Sequence, residues 1–233
     1  MTTKATPRER LLEAAGELFH RDGVNVGVDA LCKAAGVSKK SMYQLFRSKD
    51  ELIAESLANL GPRYQSALEP GSADGGTPRE RILAVFERQD RLLAGDDFLG
   101  CPFVSTAIEL KNPEHPGSVV ARHLKQRLTD FFEAELDAAG VADPEYLAVQ
   151  LTMVFDGASA RAVVRAQALG GVGVAMAASL LDAAGVQAAR PAANGAIDGA
   201  SSVAAARAAR FEPGRSVQPL PLSAWTWLPV DPP

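Results

Sequence analysis

Residues 28–52 read VDALCKAAGVSKKSMYQLFRSKDEL, and this stretch decides the fold. Its apolar residues have the spacing of two short helices, and Gly36 stands between them, where the chain must turn and a positive φ costs least. Ser38 is suited to cap the second helix, whose buried side would carry Met42, Leu45 and Phe46. Two short helices joined by such a turn are typical of the helix-turn-helix motif, whose second helix enters the major groove of DNA.

Basic residues are concentrated on this motif, although the whole chain carries a net charge of −4. From Lys33 to Lys49 there are five Lys or Arg residues and no Asp or Glu. Residues 1–60 hold nine basic and eight acidic residues, whereas the remaining residues hold fifteen basic and twenty acidic residues. A charge run alone is often only a solvated helix face, but its coincidence with the glycine turn and the serine cap favours a DNA-binding surface.

The motif and its surroundings resemble a known family. The matching segments are RLLEAA from Arg10, LF from Leu18, LCKAAGVS from Leu31, MYQLF from Met42 and SKDEL from Ser48. Together they resemble the N-terminal domain of the TetR/AcrR family of bacterial transcriptional regulators. This resemblance implies an all-helical homodimer that binds a double-stranded DNA operator and releases it when a small molecule enters the second domain.

The exposed side of the second short helix suggests how DNA would be contacted. Lysine can donate to guanine and glutamine can pair with adenine, whereas hydroxyl groups, ammonium groups and helix N-termini hold phosphates. The predicted base contacts are Lys39, Lys40 and Gln44. The predicted phosphate contacts are Ser41, Tyr43, Ser48 and Lys49.

The rest of the chain predicts further helices. Residues 6–9 and 77–80 both read TPRE, a cap residue followed by Pro and by Glu three positions later, which marks a helix start. The helix that follows Ser48 is expected to end at residues 61–62, Gly-Pro, and a short helix is expected over residues 104–110. No alternating pattern typical of a strand occurs, so we predict an all-α fold.

Three parts follow from these patterns and from the resemblance. Residues 1–60 are predicted as a three-helix helix-turn-helix domain, and residues 61–185 as a larger helical domain for ligand binding and dimerisation. Residues 186–233 contain twelve Ala and seven Pro, so this tail is expected to be largely disordered. Docking of Trp225 and Trp227 on the dimer surface is the alternative.

Small residues are frequent in the last two helices before the tail. They include Gly157, Ala158 and Ala160 in one helix, and Gly173 and Ala177 in the next. The resemblance implies that these helices pack against their mates in a four-helix dimer interface. Packing within one subunit is the alternative, because small side chains let any two helix backbones approach closely.

The resemblance also implies a pocket for a small-molecule effector in the larger domain. Apolar and aromatic side chains there would suit an apolar or aromatic effector, although phenylalanines at helical spacing more often form ordinary core. The candidate pocket residues are Phe86, Gln89, Leu93, Phe98, Cys101, Phe103, Phe131, Met153 and Phe155.

Composition and missing motifs narrow the class of protein. There is no apolar leader and no run of about 18 apolar residues, so we expect a cytoplasmic protein without a membrane association. The two cysteines are too few for a disulfide framework, and the three histidines do not have the spacing of a zinc site. No nucleophile elbow or phosphate-binding glycine loop occurs, so we expect no enzyme, metal or cofactor.

Two alternatives to a repressor released by an effector stay open. The first is an activator or a redox-responsive regulator on the same fold; a Gly-Cys-Pro step near a helix start can make a thiol reactive, so Cys101 could serve the redox-responsive form. The chain could also be a dimeric interaction protein that does not read DNA. Competition between specific and random duplex separates this last class from a regulator.

Overall fold

The computed structural model describes residues 5–71, 74–95 and 98–187, and within these ranges the regular structure is helical, without a strand. The helices are α1 (Pro7–Asp22), α2 (Val28–Ala35), α3 (Lys39–Leu45), α4 (Lys49–Leu68), α5 (Pro78–Leu93), α6 (Pro102–Leu110), α7 (Pro116–Ala138), α8 (Pro144–Arg165) and α9 (Val172–Ala183). The prediction of an all-α fold is confirmed. Apart from its first two residues, the predicted disordered tail lies outside the described residues.

Helices α1 to α3 share one core with the first turns of α4. Leu11, Leu31 and Leu52 are fully buried there, one from each of three helices. Helix α1 begins with the capping box that its sequence predicts. The Thr6 hydroxyl accepts from the Glu9 N–H at 3.2 Å, and the Thr6 N–H donates to the Glu9 carboxylate at 2.7 Å.

Helix α4 does not end at Gly61 and Pro62 as predicted but continues to Leu68. Pro62 removes one backbone donor, but packing against α7 compensates for this local break. A Cβ at Gly61 would lie only 2.6 Å from Leu124 Cδ2, so the absence of a side chain lets the two helices approach closely. The domain boundary predicted at residue 60 therefore falls inside a helix that reaches both halves of the fold.

The larger core lies among α5, α7, α8 and α9. Phe86 stacks on Phe132 with ring centroids 5.7 Å apart, and it meets Phe155 edge-on at 6.2 Å. All three rings are almost completely buried. This aromatic cluster gives the second half of the chain a core of its own.

Helix α8 is long and apolar enough to cross a membrane by length and composition alone, a property that core helices of globular proteins share. Leu147, Leu151 and Phe155 on one side of α8 are buried in the larger core. Its opposite side is exposed and also carries apolar residues, among them Tyr146 and Met153. Helix α8 thus has the packing of a core helix with one uncovered apolar side.

Candidate functional site

The turn between α2 and α3 is held by backbone hydrogen bonds and by one arginine. Gly36 has a φ of 63°, a left-handed conformation that glycine adopts without steric cost. The Val37 N–H donates to the Cys32 carbonyl at 3.0 Å, which closes the end of α2. From α1, Arg10 Nε donates to the Ala35 carbonyl at 3.0 Å. These bonds fix the end of α2, and with it the turn that leads into α3, against α1.

Helix α3 buries one side and exposes the other. Ser38 caps it, because its Oγ accepts from the Ser41 N–H at 3.0 Å and lies 2.9 Å from the Ser41 hydroxyl. Met42 and Phe46 are buried, as their spacing predicts, but Leu45 on the same predicted stripe is 38% exposed, because α3 ends there and the chain becomes extended at Phe46. The exposed polar side chains of the outer face are Lys39, Lys40, Tyr43 and Gln44.

Lys39 already has a partner in the chain. Its Nζ lies 2.8 Å from Asp29 Oδ1 at the start of α2, and the hydrogen bond to Asp29 raises the pKa of Lys39. Both side chains are exposed, so the pair is weak and a phosphate or a base can replace the carboxylate. Among the described residues, no carboxylate pairs with Lys40.

The first turn of α4, separated from α3 by three residues, carries Lys49 together with two acidic residues. Ser48 caps the helix by accepting from the Glu51 N–H at 3.1 Å. Lys49 is half-buried, and its ammonium nitrogen lies 5.9 Å from the centre of the Phe19 ring, so α1 limits where the cation can point. Arg47 instead pairs with Glu51 at 2.8 Å, which lowers the pKa of Glu51. A helix N-terminus beside a cation is suited to a phosphate.

Two polar contacts join the helix-turn-helix half to α6 and α7. Glu109 Oε2, near the end of α6, accepts from the Val24 N–H in the loop after α1 at 2.8 Å. At the start of α7, His115 Nε2 lies 3.4 Å from Asp50 Oδ1 in the first turn of α4. A movement of α6 would therefore act directly on the loop that leads into α2.

An open cavity of about 430 Å³ lies between α6 and the first turns of α7. Its apolar wall includes Phe103, Val104, Ala107 and Ala121. Phe103 also lines a much smaller space between α4 and α7, of about 30 Å³. The larger volume is within the range of small-molecule sites.

The structure does not gather the nine predicted pocket residues around this cavity. Phe86 and Phe155 are core, and the Gln89 amide is bound to the Phe155 carbonyl at 2.7 Å. Met153 is 69% exposed on the uncovered side of α8. Phe103 is the one member of the predicted set that lines either of the two cavities. The other four residues belong to core clusters or pack beside them: Leu93, Phe98, Cys101 and Phe131.

Neither cysteine is placed for thiol chemistry with solvent. Cys32 and Cys101 are unpaired and only 5% and 3% exposed. Burial raises the pKa of the Cys32 thiol, which lowers its reactivity. In the part of the chain that the structure describes, no three His, Cys, Asp or Glu side chains come together as a metal site.

Comparisons with known proteins agree with this architecture. The sequence profile of bacterial regulatory proteins of the tetR family matches residues 11–56. A crystal structure from Streptomyces avermitilis, described as a TetR transcriptional regulator, is 53% identical and superimposes with a TM-score of 0.75. The match covers 78% of this chain and 99% of that chain. The chain belongs to the TetR family.

More distant relatives of this TetR-family regulator share its fold or part of its sequence. A TetR-family regulator from Streptomyces coelicolor is 24% identical, covers 76% of this chain and 95% of its own, and superimposes with a TM-score of 0.68. An uncharacterized HTH-type transcriptional regulator from Mycobacterium tuberculosis is 27% identical over 137 residues. That match spans 58% of this chain and 64% of the relative, less than two thirds of its length. These relatives are transcriptional regulators and not enzymes.

Sequence patterns did not predict the roles of three residues around α2 and α3 of this TetR-family chain, which are Asp29, Glu109 and Arg10. Asp29 and Lys39 meet only because the chain reverses at Gly36. Glu109 reaches the loop after α1 from the other half of the chain, and no local pattern signals such a contact. Arg10 stands at the start of the RLLEAA segment, but only its hydrogen bond to α2 shows what it does.

Proposed function

We propose that the chain acts as a homodimeric repressor that binds an operator and releases it when a small-molecule effector binds. The outer face of α3 carries the proposal. There Lys40, Tyr43 and Gln44 are exposed on a helix whose buried side packs in the core shared with α1 and α2. A short, polar and basic helix of this kind fits the major groove of B-DNA.

Bases are read by the outer face of α3. Lys40 and Gln44 stand four positions apart, so their side chains lie one above the other on the helix and can reach neighbouring base pairs. Lysine donates to guanine O6 and N7, whereas glutamine pairs with adenine N6 and N7. Lys39 joins them once DNA takes the place of Asp29.

Phosphates are held around this face. The capped N-terminus of α4 at Ser48 directs partial positive charge outward, and Lys49 beside it adds a full charge. Tyr43 is 54% exposed and presents a phenol hydroxyl from α3, and Ser41 presents a second hydroxyl at its start. These contacts fix the position of α3 without reading sequence.

Dimerisation through α8 and α9 explains their uncovered apolar residues. Tyr146, Val149 and Met153 recur along one exposed side of α8, and Val172 and Met176 lie one turn apart on α9. An apolar face of this kind on a soluble chain marks an association surface. Two chains joined there could present two α3 helices about 34 Å apart, to successive major grooves.

Effector release is assigned to α6. This helix forms a wall of the 430 Å³ cavity and also carries Glu109, the acceptor of the Val24 N–H. A ligand that displaces α6 changes this contact and with it the position of α1 to α3. A coupling free energy of about 1–3 kcal/mol would lower operator affinity roughly 5- to 150-fold.

The test is a gel-shift competition between fragments of the native promoter and scrambled duplex at fixed salt. We expect Lys40→Ala and Gln44→Ala to change which bases are preferred in footprints. Tyr43→Ala and Lys49→Ala should weaken binding to every sequence, and Arg91→Ala, exposed on α5, should change neither property. A protein with no preference for any promoter fragment over scrambled duplex would contradict the proposal.

A further inference from the structure

The charged residues that line the cavity between α6 and α7 are all basic. Lys111, Arg122 and Lys125 line it, and none of its lining residues is acidic. Lys125 is already neutralised, because its Nζ lies 2.5 Å from Asp156 Oδ1. Within the described ranges, Lys111 and Arg122 have no such ion pair. Two uncompensated cations therefore stand beside the apolar wall formed by Phe103 and its neighbours.

One buried hydroxyl on the same lining has no hydrogen-bond partner. Ser118, in the first turn of α7, is 4% exposed, and its Oγ has no acceptor or donor among the described residues. A buried hydroxyl without a partner is unfavourable, so a group that satisfies it would bind favourably. The N-terminus of α7 adds partial positive charge at the same place.

We propose that this cavity binds an organic carboxylate with an apolar body, such as an alkanoate. The carboxylate lies between Lys111, Arg122 and the Ser118 hydroxyl, and the apolar body lies against Phe103 and Val104. Arg122 is partly oriented for this role, because its Nη2 donates to the Pro113 carbonyl at 3.2 Å. This inference rests on the proposed effector response and gives the effector a charge, which an apolar or aromatic effector alone would lack.

The charge of the ligand is tested with two probes of equal chain length. Decanoate, below its micellar concentration, and decan-1-ol are titrated into the full chain by calorimetry without DNA. We expect decanoate to bind at least about tenfold more tightly than the alcohol, since only the carboxylate can form charge-assisted hydrogen bonds. Equal affinity for the two probes, or no binding of decanoate, would overturn the proposal.

The position of the carboxylate is tested with variants of exposed residues, which should fold normally. Lys111→Gln combined with Arg122→Gln should weaken decanoate about tenfold and leave decan-1-ol unchanged. Arg91→Gln, a cation exposed on α5, is the matched control and should leave both affinities unchanged. A double variant that binds decanoate as the control does would refute the assignment.

Ser118→Ala separates a binding role from a structural role. Removal of an unsatisfied buried hydroxyl should leave the melting temperature of the free protein unchanged or higher, yet weaken decanoate several-fold. A variant that binds decanoate with full affinity would show that the hydroxyl takes no part. Because these titrations contain no DNA, failure here leaves operator binding untouched, and loss of operator binding leaves these titrations untouched.

Discussion

At the scale of the residue, the charges on the interface differ in whether they already have a partner. Lys39 is held by Asp29 and Arg47 by Glu51, whereas Lys40 has no paired carboxylate among the described residues. A cation that is already paired must exchange its carboxylate for a phosphate or a base when DNA binds, so it contributes less to the free energy of binding. Lys40 should therefore contribute more to binding than Lys39, although the two stand side by side in the sequence.

The Asp29 carboxylate is expected to oppose DNA binding. Asp29→Asn removes the anion that competes with DNA for Lys39, so affinity for duplex should rise about threefold at low salt, with a smaller gain at high salt. Fluorescence anisotropy across a salt series measures this. Glu87→Gln on the exposed side of α5 changes net charge equally, and an equal gain in that control would show that only overall charge matters.

His20 should make stability depend on pH. Its Nε2 lies 3.0 Å from the Gly100 carbonyl, and burial lowers the pKa of His20 from its ordinary value of 6.5. The unfolded state therefore takes up the proton first, and stability that is present above pH 6.5 is lost as the pH falls towards the pKa of the folded state. Urea unfolding between about pH 7 and pH 5 should show this loss.

Two substitutions of histidine by glutamine test the origin of this pH effect. His20→Gln keeps a donor for the Gly100 carbonyl but cannot titrate, so its unfolding free energy should vary less over the same pH range. His123→Gln, on an exposed position of α7, should keep the dependence of the original chain. Identical pH profiles for His20→Gln and the original chain would rule out His20 as the source.

At the scale of the element, capped helix starts were predictable, whereas the end of α4 was not, and α6 begins at Pro102, two residues before its predicted start. A cap such as Thr6 or Ser38 depends on three or four consecutive residues, so its signal is local. The continuation of α4 past Gly61 depends on Leu124 of another helix. The role of the phenylalanines was hidden for the same reason, since helix packing decides whether an aromatic side chain lies in a core or lines a cavity. The outer face of α3 needed no such information.

Two helical glycines should respond oppositely to alanine. Gly61→Ala would place a Cβ 2.6 Å from Leu124 Cδ2, so the Leu124 side chain must move, and we expect a loss of about 1 kcal/mol in unfolding free energy. Gly16→Ala in α1 meets no atom within 4 Å and should gain up to about 1 kcal/mol, because alanine is the better helix former. Leu124→Ala should relieve the first defect in the double variant. If the losses of unfolding free energy from Gly61→Ala and Leu124→Ala simply add in the double variant, a clash between the two side chains is excluded.

At the scale of the whole molecule, two surfaces lie on separate elements. The outer face of α3 is polar and basic, whereas the uncovered side of α8 and α9 is apolar. Their separation allows one surface to bind DNA while the other binds a second chain. The cavity beside α6 lies on a third element, which contacts the loop after α1 through Glu109.

Met153 is the best single position to test the association of two chains. Met153→Glu places a charge at the centre of the exposed apolar side of α8, so light scattering should report monomers with unchanged helix content. Ile108→Glu introduces the same charge at a position of α6 that is 65% exposed, against 69% for Met153, and should leave the mass unchanged. Operator affinity should fall at least about tenfold for Met153→Glu, since one chain engages one half-site. If Met153→Glu still forms dimers, the dimer interface does not lie on this side of α8.

The uninterrupted course of α4 affects how such a protein can be re-engineered. Its first turns belong to the core around Leu31 and its later turns pack on α7, so residue 60 is not a flexible hinge at which one part of the chain could be exchanged for another. A chimera joined at residue 60 would interrupt α4, which both halves share, and would expose apolar surface on both fragments. Chimeras that keep α4 whole and are joined after Leu68 should have the DNA specificity of one parent and the effector response of the other.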